Sequence, residues 1–501
     1  MLPACVGLYV NQYPHKIWDQ PTAPRENVDL FAAITAFSLV EIVSLLGDTI
    51  HPWIVERIHQ ELDRRIIQVY FHDPVPQNWE MKTNNWPAVC AAGIGATVIY
   101  IEKDSDRLAG MLWIIIESMR NHLKGFDEEG ATSEGVAYWQ FGFGFYVYFS
   151  ELLKERTGGR VNLLEGERVG RIARFPNVCL LSEGKVVNFS DSMEEVEFTL
   201  GLFSRLKQQF PGVIVPQQEP HVNQLFNYWA NASRILLWTL EEEKNSSLQS
   251  GNGSLSTAAE GSGSHDDTYY TGHQWAISKS STASGLIAFA AKGGHNAEPH
   301  NHNDLGHFIL HVKGDTILAD IGAGLYTRQY FQMDTRYETL TAGSHGHSVP
   351  IVDGCRQSQG QLFHADVLHY EKSLEQVKYK LDLTQAYQCP NLSSLIREFT
   401  WDRSKEGGYS LTLRDSVQFA QQPDSLVEVL ISAVKPVVIE PGYVQLESVD
   451  MTYDVEQYEL EIDPQQVVAI NGVERTIYRL LLSAKKLEKQ LEFKVEFIVA
   501  R

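Results

Sequence analysis

The spacing of hydrophobic residues changes once along the chain, between residues 243 and 267. Before this point hydrophobic side chains recur every three to four residues, for example at Ile54, Ile58 and Leu62, which is the period of an α-helix with one buried face. Asp29 is a suitable N-cap for a first helix, and Gly47 is a suitable residue to close it. The first part therefore predicts helices joined by short links, as in an antiparallel bundle, a solenoid or a toroid.

In the second part the period falls to two. Segments such as G-H-F-I-L-H-V (306–312) and K-V-E-F-I-V (494–499) read as short strands separated by turns rich in Gly, Asp, Asn and Pro. Many strands without intervening helices predict an antiparallel sandwich. The fold class is therefore multidomain, α first and β second, with a helical domain over 1–243 and an antiparallel β-sandwich domain over 267–501.

Two shorter segments complete the predicted organisation. Residues 244–266 are rich in Gly and Ser and contain too few hydrophobic side chains for a core, so they predict a flexible connector or a surface loop. Inside the helical part, C-L-L-S-E-G-K-V-V-N-F (179–189) predicts a small hairpin that turns at Glu183 and Gly184.

The charge balance excludes one class of partner. The chain has 42 Lys and Arg against 63 Asp and Glu, a formal net charge of −21. Such a surface does not collect phosphates, so a general nucleic-acid-binding protein is excluded. An anionic substrate is not excluded, because charges more than about 8 Å apart are largely screened at physiological salt, and a local basic or metal-bearing cleft could hold a carboxylate.

The sequence also predicts where the protein works. By the sequence pattern no apolar run reaches the roughly 18–20 residues of a membrane span, so no membrane partner is expected. The N-terminus lacks a basic region followed by an apolar stretch, and the five scattered cysteines form no C-x-x-C pair and suit a reducing compartment. These features predict a cytoplasmic protein without a signal peptide.

Histidines and acidic residues are concentrated in the first strands of the second part. Imidazole and carboxylate ligands at H-x-H spacing, together with a distant Asp and His, can form a three-ligand zinc site. Any one of these histidines is explained as well by ordinary hydrogen bonding, but the cluster as a whole favours a functional site. Its members are His295, His300, His302, Asp304, His307, Asp320, His345 and His347.

The spacing of this cluster sets a condition on the fold. If Lys313, Gly314 and Asp315 turn a hairpin, Asp320 lies opposite about Phe308, roughly 20 Å of straight strand from His302 at about 3.3 Å per residue. A shared metal therefore requires the chain before Gly306 to fold back.

A second group of candidate residues lies in the helical part. T-N-N-W places Asn84, Asn85 and Trp86 at or near a helix start, and S-E-G-V-A-Y-W places Tyr138 and Trp139 at another. The alternative is that the aromatic side chains belong to the core and that the asparagines are helix caps.

Together these motifs resemble those of the heparinase II/III-like family of polysaccharide lyases. The resemblance rests on H-N-H-N-D-L-G-H-F, D-I-G-A-G-L-Y and H-S-V-P-I-V-D-G, and on N-N-W and E-G-x-x-Y-W in the expected order. It extends from about residue 29 to the later strands and is strongest over 291–356. It implies an incomplete α/α toroid followed by a two-sheet antiparallel β-sandwich, with the substrate cleft between the two domains.

The resemblance also implies an activity, β-elimination at uronic-acid linkages, and a role for each candidate residue. The segment T-N-N-W has no histidine beside its asparagines, so a histidine base is not expected there, and the choice between Asn84 and Asn85 stays open. The implied substrate is a uronic-acid-containing oligosaccharide or polysaccharide, the implied cofactor is a structural zinc ion, and a homodimer stays open. The roles are catalysis for Tyr138, His300 and Asn84 or Asn85, zinc ligation for His302, Asp320 and His347, and substrate contact for Trp86, Glu134 and Trp139. Separately from the resemblance, Arg336 in the segment D-T-R-Y upstream of His347 is a candidate anion contact, and a salt bridge on the surface of the sandwich explains it equally well.

Two other functions stay open at the level of sequence. His300, His302 and Asp320 could hold a water-activating zinc of a hydrolase, although the alternating β–α pattern that usually carries such sites is missing. The fold could also serve a non-catalytic glycan-binding protein, although the presence of both Tyr138 and His300 favours an enzyme.

Overall fold

The computed structural model describes residues 27–72, 77–182, 184–218, 228–249, 265–403 and 408–499. Within these residues helices come first and antiparallel strands follow, as the sequence predicted. The chain forms two compact units that interleave along the sequence. The first comprises Met1–Thr132, Ala137–Asn177 and Glu197–Ser254, and the second comprises Ser133–Val136, Val178–Val196 and Leu255–Arg501.

The helices begin close to where the sequence signals place them. Asp29 caps the first helix by accepting a hydrogen bond from the Ala32 N–H, and Pro52 opens the second. Gly47 follows the first helix but keeps a right-handed φ of −49° and starts one turn of 3₁₀ helix. Among the described residues the helices are α1 Leu30–Leu46, α2 Pro52–Leu62 with a π-helical continuation Asp63–His72, α3 Asn85–Ile101, α4 Ser105–Leu123, α5 Gly135–Arg156, α6 Glu167–Cys179, α7 Leu200–Gln209 and α8 Trp229–Gln249.

Helix α1 corrects one sequence expectation. Leu30–Thr49 is long and apolar enough to cross a membrane by length and composition, a test that a buried core helix passes equally well. In the structure Phe37 is fully buried, and Glu41 on the same helix accepts hydrogen bonds of 2.5 and 2.6 Å from the Arg234 guanidinium of α8. These contacts are those of a core helix in a folded unit.

The second unit contains two large antiparallel sheets. The described strands are β1 His265–Tyr270, β2 Trp275–Thr282, β3 Gly285–Lys292, β4 His295–Asn296, β5 Phe308–Val312, β6 Asp315–Leu318, β7 Ile351–Val352, β8 Gly360–His364, β9 Asp366–Lys372, β10 Gln376–Asp382, β11 Leu392–Asp402, β12 Ser410–Phe419, β13 Leu426–Ser432, β14 Val437–Glu440, β15 Tyr443–Leu446, β16 Val449–Tyr453, β17 Tyr458–Val468, β18 Glu474–Ala484 and β19 Gln490–Val499. The first sheet has the order β1-β2-β3-β5-β6-β13-β18-β17, with β7 also paired to β13. The second sheet has the order β14-β15-β16-β19-β12-β11-β10-β9, and β4 and β8 form a separate pair.

One hydrophobic core lies between these two sheets. Phe289 of the first sheet packs against Phe399 and Trp401 of the second, with ring centroids 5.4 and 6.0 Å apart. The period of two explains the arrangement, because alternate residues of a strand point to the same face. In β10, for example, Tyr379 and Leu381 are fully buried, while the residue between them faces the other way.

A buried arginine ties this core to the loops that carry the candidate cluster. Arg397 of β11 is fully buried and donates to both carboxylate oxygens of Asp415 and to Glu428. Its remaining donor bonds the carbonyl oxygens of Gly306 and Ser348 at 2.9 and 2.6 Å. The second sheet therefore fixes two loop positions that stand next to candidate ligands in the sequence.

The unit boundaries differ in detail from the predicted domains. Helix α8 runs to Gln249 and β1 starts at His265, so the segment between them is shorter than the predicted connector 244–266, and residues 250–264 lie outside the described residues. The predicted hairpin is present as a bridge between Leu180 and Val186, although Glu183 at its turn is not described. Residues 178–196 belong to the second unit rather than to the helical one.

Candidate functional site

The loop between β3 and β5 folds back, as the shared-metal hypothesis requires. The Gly306 N–H donates to the Lys292 carbonyl at 2.9 Å, and Gly306 has a φ of 84°, a left-handed conformation that glycine adopts without steric cost. The hairpin between β5 and β6 turns at Lys313 and Gly314 as predicted, with Val312 opposite Asp315. The loop, rather than a straight strand, therefore carries His302 back to Asp320.

Four side chains meet at this place: His302, Asp304, Asp320 and His347. One ligand atom of each lies within 4.8 Å of the others, and all four residues are fully buried. Three were predicted from the sequence, and Asp304 joins them. The His302 Nδ1, Asp304 Oδ2, Asp320 Oδ2 and His347 Nδ1 atoms have no hydrogen-bond partner among the described residues, and such buried atoms are costly when unsatisfied. This group could therefore hold a metal ion.

Hydrogen bonds on the far ring nitrogens prepare both histidines for ligation. The Nε2 atom of His302 lies 3.0 Å from the Asp191 carboxylate, and the Nε2 atom of His347 lies 3.2 Å from the Thr341 carbonyl oxygen. Both partners only accept hydrogen bonds, so each ring carries its hydrogen on Nε2. The lone pair then lies on Nδ1, which is the nitrogen that faces the cluster.

His307 and Lys292 support the cluster from outside. The Ser348 N–H donates to His307 Nδ1 at 2.9 Å, so the neutral ring carries its hydrogen on Nε2, which lies 3.5 Å from Asp320 Oδ2. His307 is thus oriented to donate toward a candidate ligand rather than to ligate. Lys292 donates to the other oxygen of Asp304 at 2.7 Å and leaves Asp304 Oδ2 to the cluster.

Burial and neighbouring charges shift the pKa values of the cluster and of His307 beside it. Burial raises the pKa of Asp320 to about 7, and it lowers the pKa of His347 to about 3 and that of His307 well below its ordinary value. Burial also raises the pKa of Asp304, but the Lys292 ammonium outweighs it and the net shift is downward. Uncharged imidazoles beside closely spaced carboxylates form a donor set that a divalent cation fits.

Asp191 is the centre of a second set of contacts, which the sequence analysis missed. Its carboxylate is fully buried and accepts hydrogen bonds on both oxygens. The donors are His300 Nδ1 at 3.0 Å, His302 Nε2 at 3.0 Å, Arg336 at 3.1 Å to each oxygen, the Tyr326 hydroxyl at 3.2 Å and the Tyr330 hydroxyl.

These donors keep Asp191 ionised. Burial alone would raise the pKa of its carboxyl, but the Arg336 guanidinium and the hydrogen bonds from His300 and His302 outweigh burial and hold the pKa well below its ordinary value. Asp191 is therefore a fixed negative charge beside both histidines.

His300 is held in an uncommon backbone conformation. Its φ is 60°, a left-handed value that residues other than glycine rarely adopt and that often marks a functional site. Its carbonyl oxygen accepts a hydrogen bond of 3.1 Å from the Asp191 N–H. The ring is 19% exposed, unlike the fully buried His302, and its Nε2 atom lies 3.6 Å from Glu134 Oε1. His300 therefore combines a buried anchor with access to solvent.

In the first unit, the two asparagines occupy different environments. Asn84 is the N-cap of α3, since its side-chain oxygen accepts a hydrogen bond from the Trp86 N–H at 3.1 Å. Asn85 is the first residue of α3 and is only 1% exposed. The carbonyl oxygen of Asn84 lies 2.9 Å from His122 Nδ1. The cap interpretation is thus right for Asn84.

The aromatic candidates of the first unit also differ from one another. Tyr138 lies in the first turns of α5 and is half-buried, as is Trp86, whose ring has the Lys82 ammonium 5.3 Å from its centre. Trp139 is 1% exposed, and its indole N–H donates to the Ile172 carbonyl at 2.8 Å. Its burial does not support the predicted substrate contact and agrees with the alternative of a core aromatic.

Arg336 also requires correction. It was predicted as an anion contact or a surface salt bridge, but it is 7% exposed and its guanidinium is bonded to the Asp191 carboxylate. It therefore acts within the protein as the counter-ion of Asp191.

The structure thus places the candidates in two groups, each within its own unit. The second unit brings together His300, Glu134, Asp191, Arg336 and the four-residue cluster, and leaves His295 and His345 outside that cluster. The first unit carries Asn84, Asn85, Trp86, Tyr138 and Trp139.

Comparison with solved structures relates this arrangement to known proteins. A heparan sulfate lyase HepC mutant from Pedobacter heparinus superposes with a TM-score of 0.61 at 13% identity, covering 83% of this chain and 60% of that one. A structure of heparinase III gives a TM-score of 0.65 at 11% identity, covering 99% and 73%. The fold is heparinase III-like. A heparinase III-BT4657 gene product agrees, with a TM-score of 0.58 at 10% identity over 82% and 59%.

The heparinase III-like fold confirms the resemblance that the motifs indicated, and it confirms the order of a helical region followed by an antiparallel β-sheet region. No family model matches the chain, and no curated protein matches it significantly in sequence. The chain spans about 60% of the length of HepC and 73% of the length of heparinase III. At 10–13% identity the likeness to these structures establishes the fold alone.

Proposed function

We propose that this protein is a polysaccharide or oligosaccharide lyase that cleaves uronic-acid linkages by β-elimination. The observation that carries the proposal is the Asp191–His300 pair, in which a buried, ionised carboxylate orients a solvent-accessible imidazole on a left-handed backbone. This is the arrangement expected of a histidine that exchanges protons, and it occurs in a heparinase III-like fold.

The chemistry of a uronic acid explains which groups the reaction needs. The hydrogen on carbon 5 lies next to a carboxylate, whose negative charge opposes formation of a carbanion. A donor beside that carboxylate spreads the charge and makes the hydrogen removable, as in an oxyanion hole. A base then takes the hydrogen, the bond from carbon 4 to oxygen breaks, and an acid protonates the departing oxygen.

His300 and Tyr138 are the proposed acid–base pair. The bond from His300 Nδ1 to Asp191 leaves the lone pair of the neutral ring on Nε2, so His300 is suited to act as base or, when protonated, to neutralise the uronate. Glu134, 3.6 Å away, would stabilise the protonated ring. Tyr138 is the proposed acid and would serve as both acid and base in a syn elimination.

The uronate carboxylate is the proposed partner of an amide from the T-N-N-W segment. Asn84 and Asn85 are both candidates, because the cap on α3 uses the side-chain oxygen of Asn84 and the proposed contact with the uronate uses an amide nitrogen. Trp86 and Glu134 remain proposed substrate contacts. The helical domain predicted over 1–243 would form an incomplete α/α toroid, and the two sheets would form a β-sandwich. The proposed substrate is a uronic-acid polymer or oligomer.

The proposed cofactor is a structural zinc ion held by His302, Asp304, Asp320 and His347. Two imidazole nitrogens and two carboxylate oxygens match the ligand types of zinc sites. When bound, the ion would supply positive charge that holds the loop between β3 and β5, which carries His300. No water is activated in an elimination, so the ion is not required for the bond-breaking step.

A product assay tests this function. The protein is incubated with heparan sulfate, alginate and other uronides, while ultraviolet absorbance follows the unsaturated uronate that only elimination forms. Growth of this absorbance is the expected result. New reducing ends without it would indicate the zinc hydrolase, and binding without either product would indicate the glycan-binding protein.

A further inference from the structure

One buried carboxylate contacts both the metal cluster and the histidine proposed as base. Asp191 Oδ1 lies 3.0 Å from His302 Nε2, and Asp191 Oδ2 lies 3.0 Å from His300 Nδ1. An ionised carboxylate can only accept, so each ring must carry its hydrogen on the nitrogen that faces Asp191. We propose that Asp191 is a positioning residue that fixes the tautomers of both histidines and thereby couples metal binding to the orientation of His300.

The surroundings of Asp191 prevent its carboxylate from turning. Arg336 donates to both oxygens at 3.1 Å, and the Tyr330 and Tyr326 hydroxyls donate to one oxygen each. A carboxylate held on both oxygens has one orientation. The proposed metal ligand His302 and the proposed base His300 are therefore oriented by one rigid group.

The backbone joins the same two segments. The Asp191 N–H donates to the His300 carbonyl oxygen at 3.1 Å, and Ser190 and His300 both have left-handed φ values, 69° and 60°. The hydroxyl of Ser190 donates to the Ser133 carbonyl at 2.7 Å, next to Glu134 in the chain. This backbone hydrogen bond, with an uncommon conformation at His300 and another at Ser190 beside Asp191, fixes how Asp191 meets His300.

A simpler account treats Asp191 and Arg336 as a buried ion pair with a role in stability alone. The two accounts differ in what removal of the charge should do. A stabilising pair affects folding, whereas a residue that sets tautomers also affects metal affinity and turnover in the folded protein. The His300 half of the proposal rests on the proposed lyase function, and the His302 half does not.

The test compares Asp191→Asn with Asp267→Asn in the full-length protein. The asparagine NH₂ group would face one imidazole as a donor and force that ring into the opposite tautomer. Asp267 is the matched control, because its carboxylate also takes two hydrogen bonds from an arginine, Arg403 at 2.8 and 3.1 Å, and its other described side-chain donor is Ser278.

The first measurement is zinc affinity, obtained by chelator competition on metal-stripped protein. We expect Asp191→Asn to bind zinc about 10- to 100-fold more weakly, the effect typical of losing a group that orients a ligand, and Asp267→Asn to match the wild type. Equal zinc affinity in Asp191→Asn and the wild type would overturn the proposal, whatever the enzyme assay gives.

The second measurement is turnover of a uronide. We expect Asp191→Asn to lower kcat by about 100-fold or more with KM changed by less than about threefold, because proton transfer rather than binding is impaired. A normal kcat with weakened zinc binding would remove the coupling. If the wild type has no lyase activity, the proposed function fails, while the zinc measurement still decides the His302 half.

A third measurement uses the wild type and does not depend on the folding of the Asp191 variant. Heteronuclear NMR of isotope-labelled histidine reports which ring nitrogen carries the hydrogen, with His300→Gln and His302→Gln used to assign the signals. We expect the hydrogen on Nδ1 of His300 and on Nε2 of His302. The opposite tautomer in either ring would contradict the proposal.

Discussion

Single hydrogen bonds decide what each histidine of the second unit can do. His302 and His347 donate through Nε2 and present Nδ1 to the cluster, whereas His307 accepts at Nδ1 and presents an N–H. Of these three buried rings, His302 and His347 are therefore suited to bind a metal ion, and His307 is suited to donate a hydrogen bond. His300 has the same kind of anchor but keeps 19% of its surface exposed, which separates a ring available to substrate from rings available to a metal.

The role of Tyr138 is testable at the level of one oxygen atom. Tyr138→Phe removes the proposed acid without creating a cavity at a half-buried site. We expect turnover of a uronide to fall by about 10²- to 10⁴-fold, the usual contribution of acid–base catalysis, with a melting temperature close to that of the wild type. Steady-state kinetics and a thermal melt measure both, and a wild-type rate would remove Tyr138 from the mechanism.

The metal site is testable by removing one ligand. His347→Ala removes a buried imidazole whose described hydrogen bond goes to the Thr341 carbonyl oxygen, and we expect the variant to lose the stoichiometric zinc proposed for the wild type and the stabilisation that bound zinc would give. Elemental analysis and thermal melts with and without added zinc measure this. His369→Ala, at an exposed position of β9, is the control. Zinc binding by the wild type that His347→Ala leaves unchanged would contradict the assignment of the site.

The sequence predicted part of this site. The clustering of His and Asp with H-x-H spacing indicated a zinc site in this stretch, which includes Asp304, and the resemblance to the heparinase II/III-like family selected His302, Asp320 and His347 as ligands. Asp191 was not found, because it precedes His302 by 111 residues in an ordinary polar segment, F-S-D-S. Only the fold brings it to the histidines, and a single sequence contains no signal for that contact.

At the scale of elements, close approach between helices depends on small residues. Gly142 of α5 faces the start of α3, where a Cβ on Gly142 would lie 2.8 Å from the His122 ring and 3.0 Å from the Asn85 Cβ. Hydrophobic periodicity does not distinguish the faces of these two helices, because residues 87–98 of α3 and 142–150 of α5 are buried on every side. It could not predict this contact, since a glycine inside a helix looks unfavourable until its neighbour is known.

A pair of glycine substitutions tests this contact. We expect Gly142→Ala to lower the free energy of unfolding by about 1–3 kcal/mol through overpacking. Gly110→Ala in α4, where a Cβ would meet nothing within 4 Å, should raise it by about 0.5–1 kcal/mol because alanine favours the helix. Urea unfolding measures both. The same direction of change in both variants would show that α5 has room to move at Gly142.

At the scale of the whole molecule, the two periodicities of the sequence predicted the order of the two parts, and the heparinase III-like fold agrees with them. The unit boundaries were harder to predict. Residues 178–196 lie among helices in the sequence but belong to the β-rich unit, since their hydrogen bonds run to its strands, as from Lys185 to the Gly314 carbonyl. The local sequence pattern identifies helices and strands, whereas the unit to which a segment belongs depends on its contacts with residues far away in the sequence.

Elimination breaks a carbon–oxygen bond without adding water, whereas hydrolysis adds one water molecule. The masses of the products from a defined uronide oligosaccharide, incubated with the zinc-loaded protein, therefore separate the two reactions. We expect two fragments whose masses add up to that of the substrate, and we expect neither fragment with His300→Gln. Fragments that together exceed the substrate by the mass of one water would show hydrolysis and would contradict the proposed lyase function.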